Sequence, residues 1–277
     1  MASLRVILVS DTHLAPVAPE AQANWDAVLR HVASAAPDAV IHLGDLTQDG
    51  AHDPGHLDYG RQQLDRLPVP WHAVPGNHDV GDNLWEGSPP GMSVDDTRRQ
   101  FWLAAVGADN WTLTAGGWTL LGINAQLFGS GLAAEEQQWS WLEEQSGRRN
   151  GNQPIAVLSH KPLTASDAEL GSSPFYRFAP QTAWTRLVGL CGDRLRLVLS
   201  GHVHQYRDSR LDGIAHLWVP TTWTVLPDEI QPVLGTKRCG LVALELDDGQ
   251  APRHALVEPD GLRQLTLIRD VSDPYHH

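Results

Sequence analysis

Five short aliphatic runs punctuate the chain, at 6–10, 38–44, 71–76, 155–159 and 195–201. Each is rich in Val, Leu or Ile and lacks a strict polar alternation. That pattern predicts strands covered on both faces. Between the runs lie stretches with helical spacing of apolar residues. The stretch 20–35 places Trp25, Val28, Leu29 and Val32 on one face, and 55–67 does the same with Leu57, Leu64 and Leu67. Segment 93–106 opens on Ser93 and two acids, a helix start, and 132–146 runs to Gly147 as its stop. Strands alternating with helices predict βαβ units and a largely parallel sheet. Later runs at 117–125, 214–222 and 240–246 have no long helices between them and suit a second, more antiparallel sheet. No repeat, low-complexity tract or linker interrupts the pattern. The expectation is one domain over 1–277, with a core at about 4–247 and a C-terminal strand and tail at 248–277.

Composition narrows the function classes. The 277 residues carry 20 Lys and Arg against 33 Asp and Glu, a net charge of −13. Broad electrostatic binding of long nucleic acid needs a basic face and is not expected. A small anionic substrate remains compatible, because bound cations reverse the local sign. The 2 cysteines, Cys191 and Cys239, are too few for a disulfide framework or a thiolate cluster and read as buried free thiols. No apolar run approaches the roughly 18 residues of a membrane span. The start "MASLRVILVSD" reads as a first strand rather than a signal peptide, so a cytoplasmic protein is expected.

The ends of the five runs share one chemistry. The first leads into Asp11 and His13, the second into Asp45, and the third into Asn77, His78 and Asp79. The fourth leads into His160, and the fifth into His202 and His204. In open α/β sheets the carboxyl ends of strands form the ligand crevice. Carboxylate, imidazole and amide donors without thiolate suit iron or manganese, with zinc also compatible. Eight such side chains exceed the needs of one four-coordinate ion. Two ions need a shared carboxylate, and Asp45 stands alone on its strand end. Alternate residues of an extended segment point the same way, so Asp11 pairs with His13 and His202 with His204. Gly44, Gly76 and Gly201 each precede a proposed ligand, where glycine permits a sharp turn and a close backbone approach. Taken singly, each position has an ordinary alternative. An Asp ending a strand is often a turn residue, and a lone His is usually structural. His42, inside its strand, is read that way, as are His31, His72, His216 and His254.

These blocks, "DTH" (11–13), "GD" (44–45), "GNHD" (76–79), the His at 160 and "GHVH" (201–204), resemble those of the calcineurin-like metallophosphoesterase superfamily. Among its members, bacterial class III cyclic nucleotide phosphodiesterases are the most similar. The resemblance implies a four-layer α/β/β/α sandwich of two mixed sheets flanked by helices. It also implies a dinuclear site. Asp11, His13, Asp45 and His204 would hold one ion, and Asp45, Asn77, His160 and His202 the other. His78 would face the substrate, oriented by Asp79. Two departures stand out: "VGDN" at 80–83 lacks an arginine common after the Asn-His-Asp block, and Asn124 stands where Asp is common.

The implied activity is a metal-dependent phosphodiesterase. It would cleave small diesters, such as 3′,5′-cyclic nucleotides, by in-line attack of a metal-bridging hydroxide. A phosphomonoesterase with the same site, on a small or protein substrate, is the alternative within the class. A non-catalytic binding scaffold is the alternative outside it. Specificity would lie in the irregular loops 82–93 and 167–180. There Phe175, Tyr176 and Arg177, with Tyr206 after the last block, could stack a base and hold a phosphate. A homodimer is compatible with the sequence but not specified by it.

Overall fold

A computed structural model describes residues 3–83, 91–147, 153–166 and 177–271. The expected runs form strands β1 (Leu4–Val9), β2 (Ala39–His42), β3 (Trp71–Ala73), β6 (Ile155–Ser159) and β7 (Leu195–Ser200). Between β3 and β6 lie β4 (Trp111–Ala115) and β5 (Trp118–Gly122). After β7 come β8 (Arg207–Leu211), β9 (Ile214–Trp218), β10 (Leu241–Leu246) and β11 (Arg253–Val257). The helices are α1 (Pro19–Ala35), α2 (Pro54–Leu64), the short α3 (Asn77–Val80), α4 (Asp96–Ala105), α5 (Ala133–Gly147) and α6 (Gln181–Cys191).

The five runs do not share one largely parallel sheet. One sheet has the order β11-β10-β1-β2-β3 and the other β4-β5-β6-β7-β9-β8. Within the first, β1, β2 and β3 are parallel and β10 and β11 antiparallel. Within the second, β5, β6, β7 and β9 are parallel, with β4 and β8 as antiparallel edges. Both sheets are therefore mixed. The chain crosses from one to the other after β3 and returns through β10, which pairs with β1.

Strand alternation explains the layers. In β1, Val6 and Leu8 face a core shared with Leu120 of β5, Leu197 and Leu199 of β7 and Val242 of β10. That core lies between the two sheets. The intervening Ile7 and Val9 face the opposite way, onto Trp25, Val28 and Val32 of α1 and Leu57 of α2. On the outer face of the second sheet, Val157 and Val198 pack against Trp139 and Leu142 of α5 and Leu187 of α6. The result is helices, sheet, sheet, helices. Strands buried on both faces need apolar residues at every position, which is why the five runs lack alternation.

Local chemistry sets the helix ends. Pro54 is the first residue of α2, and the Asp53 side chain accepts from Gly55 N–H. For α4 the cap is Asp95, which accepts from Arg98 N–H, so the helix starts at Asp96 rather than near Ser93. The expected strand at 117–125 stops at Gly122, and Ala125–Leu127 forms a 3-10 turn capped by Asn124.

Trp25 is fully buried in the α1 face, and its indole N–H donates to the Gln63 carbonyl at 3.3 Å. Trp25→Ala is expected to lose about 3–5 kcal/mol of stability in urea denaturation. A loss under about 1 kcal/mol would contradict the assignment of α1 to this core.

Candidate metal centre

Each parallel strand that delivers a candidate residue does so just past its C-terminal end. Asp11 and His13 follow β1, Asp45 follows β2, and Asn77 and His78 follow β3. His160 follows β6, and His202 and His204 follow β7. Three of these strands belong to one sheet and two to the other, yet all end on the same side. Backbone hydrogen bonds stitch the segments together. Asp11 N–H donates to Gly44 O (3.0 Å), His13 N–H to Asp45 O (3.1 Å) and Gly201 N–H to His160 O (2.9 Å).

The backbone at this end is strained. Among the described residues, eight non-glycine positions have positive φ, and five of them are Asp11, His13, Asp45, His202 and His204. Residues held there cost roughly 1–3 kcal/mol each and persist where surrounding structure over-determines them. Gly44, at φ +90, needs its glycine conformation. Gly76 and Gly201 have ordinary φ, so tight turns are not their reason. A Cβ on Gly76 would land on the Asp45 backbone nitrogen and carboxylate, and one on Gly201 on the Ser10 hydroxyl. Close approach is what requires glycine at those two positions.

Two groups of donor atoms result, each lying within 4.8 Å of one another. One comprises Asp11, His13, Asp45 and His204; the other comprises Asp45, His160 and His202. Asn77 joins the second, its Oδ1 being 3.1 Å from His160 Nε2. Asp45 is common to both. Its Oδ1 accepts from His78 N–H at 2.9 Å, which aims Oδ2 inward. Oδ2 is 3.2 Å from His160 Nε2, 3.8 Å from His13 Nε2 and 3.9 Å from His78 Nε2.

The imidazoles are oriented from behind. His160 Nδ1 donates to Leu43 O (2.8 Å) and His204 Nδ1 to Thr224 O (2.6 Å). Each bond orients the ring so that Nε2 is the nitrogen turned inward. His204 Nε2 then faces Asp11 Oδ1 at 3.2 Å, deep in the enclosed cluster. Burial pushes the His204 pKa down but Asp11 outweighs it and the pKa is raised, so this gap takes a shared proton or, in its place, a cation. His13 Nε2 and His204 Nε2 are likewise 3.3 Å apart. Metal–donor bonds of about 2.1 Å at right or tetrahedral angles place donors about 3.0–3.4 Å apart. The residues therefore fit a bound ion in spacing and in donor type.

Charge tells the same story. Burial pushes His160 down, but Asp45 and then Asp11 outweigh it, and its pKa rises to about 9. For Asp45, burial raises the carboxyl but His160 and His78 outweigh it, leaving it well below the usual range. Burial, with His78, drives His13 well below its usual value, and burial, with His160, does the same to His202. Those two are neutral donors at pH 7.

Other expected residues fall out differently. Asp79 does not orient His78. Its carboxylate accepts from Leu46 N–H (3.1 Å), Thr47 N–H (2.9 Å), Thr47 Oγ1 (2.8 Å) and Gly76 N–H (2.9 Å). It ties the β2 and β3 loops together; burial and then Asp45 push it up to about 6. The imidazole of His78 is instead held by Gln48, whose carbonyl lies 3.1 Å from Nδ1. Tyr206 is half-buried: its ring packs against the inter-sheet core and its hydroxyl lies 3.4 Å from His254 Nδ1. Arg177 is buried, and the next residue, Phe178, packs against Val203 between His202 and His204. Phe175 and Tyr176 lie outside the described residues. Asn124 is structural: it donates to Asp109, which pairs with Arg99. His42 is buried, and its Nδ1 accepts from Gly44 N–H at 3.2 Å, bracing the turn before Asp45. Not anticipated was Trp223, whose ring lies 4.6 Å from that of His13.

A family model for the calcineurin-like phosphoesterase matches residues 4–206. The chain belongs to this family. The two Asp/His groups are the dinuclear centre of this calcineurin-like phosphoesterase. It is 23% identical over 292 residues to a protein of Arcobacter nitrofigilis named a probable glycerophosphodiester phosphodiesterase, covering 98% of this chain and 95% of the relative. It is 27% identical over 216 residues to a probable cyclic nucleotide phosphodiesterase of Synechococcus, covering 73% and 74%. A dimetal phosphatase of Danio rerio shares the fold, with a TM-score of 0.62 at 13% identity, over 91% of this chain and 95% of that one. No helix among the described residues is long and apolar enough to cross a membrane.

Gly76→Ala is expected to lower stability by roughly 1–3 kcal/mol through overpacking against Asp45. Gly147→Ala, in a helix with open space around it, serves as the control and should change little or stabilise slightly. Equal melting temperatures for the two variants would contradict the close approach at Gly76.

Proposed function

We propose that this phosphoesterase hydrolyses small phosphodiesters, 3′,5′-cyclic nucleotides among them. Asp11, His13, Asp45 and His204 hold one divalent cation in this reading. Asp45, Asn77, His160 and His202 hold the other. Oxygen and imidazole donors without thiolate suit iron or manganese, and zinc is also accommodated. When bound there, two such cations would supply charge to neutralise phosphoryl oxygens and acidify a water toward a pKa of about 7. The observation that carries the reading is Asp45 Oδ2, approached within 4.0 Å by imidazole nitrogens delivered from three separate strand ends.

The chain's own side chains complete the chemistry. The His78 side chain is 25% exposed, against 2% for Asp45, so it sits at the lip of the cluster. With Nδ1 held by the Gln48 carbonyl, Nε2 is the nitrogen that exchanges a proton with substrate. It donates to the departing alkoxide oxygen. The Asn77 amide, fixed at the start of α3, donates to a phosphoryl oxygen as charge develops there. A diester preference is supported by the two relatives, both named as phosphodiesterases.

Turnover of bis(p-nitrophenyl) phosphate should exceed that of p-nitrophenyl phosphate, and cyclic AMP should be cleaved. Faster turnover of the monoester contradicts the diester reading. Asp45→Ala should lose bound metal and activity together. His78→Ala should keep its metal and lose about 10²–10³ in kcat. Near wild-type turnover in either variant is incompatible with the roles given.

The pKa of His160 supplies a pH dependence. In the cation-free protein it is raised from 6.5 to about 9, so at pH 7 it holds a proton that cation binding through Nε2 must displace. Cation affinity should therefore rise with pH up to about 9 and level off above it. Calorimetry in buffers of different ionisation enthalpy should record proton release at pH 7. An affinity flat between pH 7 and about 9 contradicts the assignment.

A further inference from the structure

Lys161 directly follows His160, yet the two side chains are put to different uses. His160 turns Nε2 toward Asp45, whereas Lys161 is fully enclosed and its ammonium pairs with the carboxylate of Asp82. Asp82 is itself only 5% exposed. A buried ion pair adds little net stability, because the desolvation of two charges offsets their attraction. What such a pair does well is hold two segments in one relative position.

The two segments matter here. Asp82 lies two residues past α3, the turn that carries Asn77 and His78. Its backbone is fixed on both sides: Asp82 N–H donates to Met92 O and Val94 N–H to Asp82 O, both at 2.8 Å. The adjacent Asn83 amide donates to the carbonyls of Ala125 (2.8 Å), Gln126 (3.1 Å) and Phe128 (2.8 Å). On the other side, Ser159 Oγ donates to Lys161 O at 2.9 Å, which fixes the end of β6. The pair thus joins the β3 end of one sheet to the β6 end of the other. These are the segments whose Asn77 Oδ1 and His160 Nε2 lie 3.1 Å apart.

We propose that the Lys161–Asp82 pair is a positioning device that sets the spacing of Asn77 and His160, and so the affinity of the second cation site. The proposal rests on the dinuclear reading above. Lys161 is sealed from solvent, so it acts through its neighbours and does not meet substrate. The position after His160 accounts for its placement, and Asp82 occupies the stretch where an arginine was noted as missing.

The test is a Mn²⁺ titration of the chelator-stripped full chain, by calorimetry for stoichiometry and by electron paramagnetic resonance for coupling between the two ions. Lys161→Met is expected to bind the first ion as the wild type does and the second about 10–100-fold more weakly. It also leaves Asp82 buried without its cation, so the melting temperature should fall. The double variant K161M/D82N removes that leftover charge and serves if the single variant fails to fold. Its melting temperature should recover while its second-ion affinity stays weak. Recovery of both would reduce the pair to a stability effect and overturn the proposal. Wild-type affinity for both ions in Lys161→Met, with its melting temperature lowered or not, also overturns it. A wild-type chain that binds fewer than two ions overturns the dinuclear reading instead, and this proposal with it.

Discussion

The carboxylate of Asp45, only 2% exposed and surrounded by imidazole nitrogens, sets the constraint that the rest of the molecule satisfies. Donor atoms this close repel one another or compete for a single proton unless a cation stands among them. Holding them there requires force from outside the cluster. That force comes from backbone hydrogen bonds between strand-end loops and from carbonyls of Leu43 and Thr224 behind the rings. Left-handed backbone at Asp11, His13, Asp45, His202 and His204 is the cost of the arrangement.

Two mixed sheets facing each other supply the geometry. A single sheet would line up its strand ends in a row. Here β1, β2 and β3 approach from one side and β6 and β7 from the other, so their loops can enclose a compact volume. The apolar core between the sheets, with Leu8, Ile41, Leu158 and Leu199, fixes the separation of the two sets of ends. Glycines at 44, 76 and 201 then let the loops pass within contact distance. The rigid part of the fold thus ends where the chemistry begins.

Much of this was legible in the sequence. Aliphatic runs ending on Asp, His or Asn-His located the strands and the donors, because strands buried on both faces carry a continuous signal. The division of those runs between two sheets was not legible in the runs themselves, since periodicity does not say which strands pair. The edge strands β4 and β8 escaped notice because their half-exposed residues carry few aliphatics, whereas the expected C-terminal strand is β11. Helix α6 was hidden next to a stretch read as loop. Roles carried by main-chain atoms left no trace: the carbonyl of Gln48 behind His78 could be any residue's carbonyl. Asp79 was misread for a related reason. A sequence neighbour of His78 looks like its partner, but on a turn the two side chains diverge, and Asp79 reaches Thr47 instead.

The central claim is that one aspartate bridges two cations. Anomalous diffraction from crystals grown with Mn²⁺ tests it directly. The account predicts two manganese peaks, each beside the Asp45 carboxylate, one among Asp11, His13 and His204 and the other among His160 and His202. A single peak, or two peaks of which one lies away from Asp45, would contradict it.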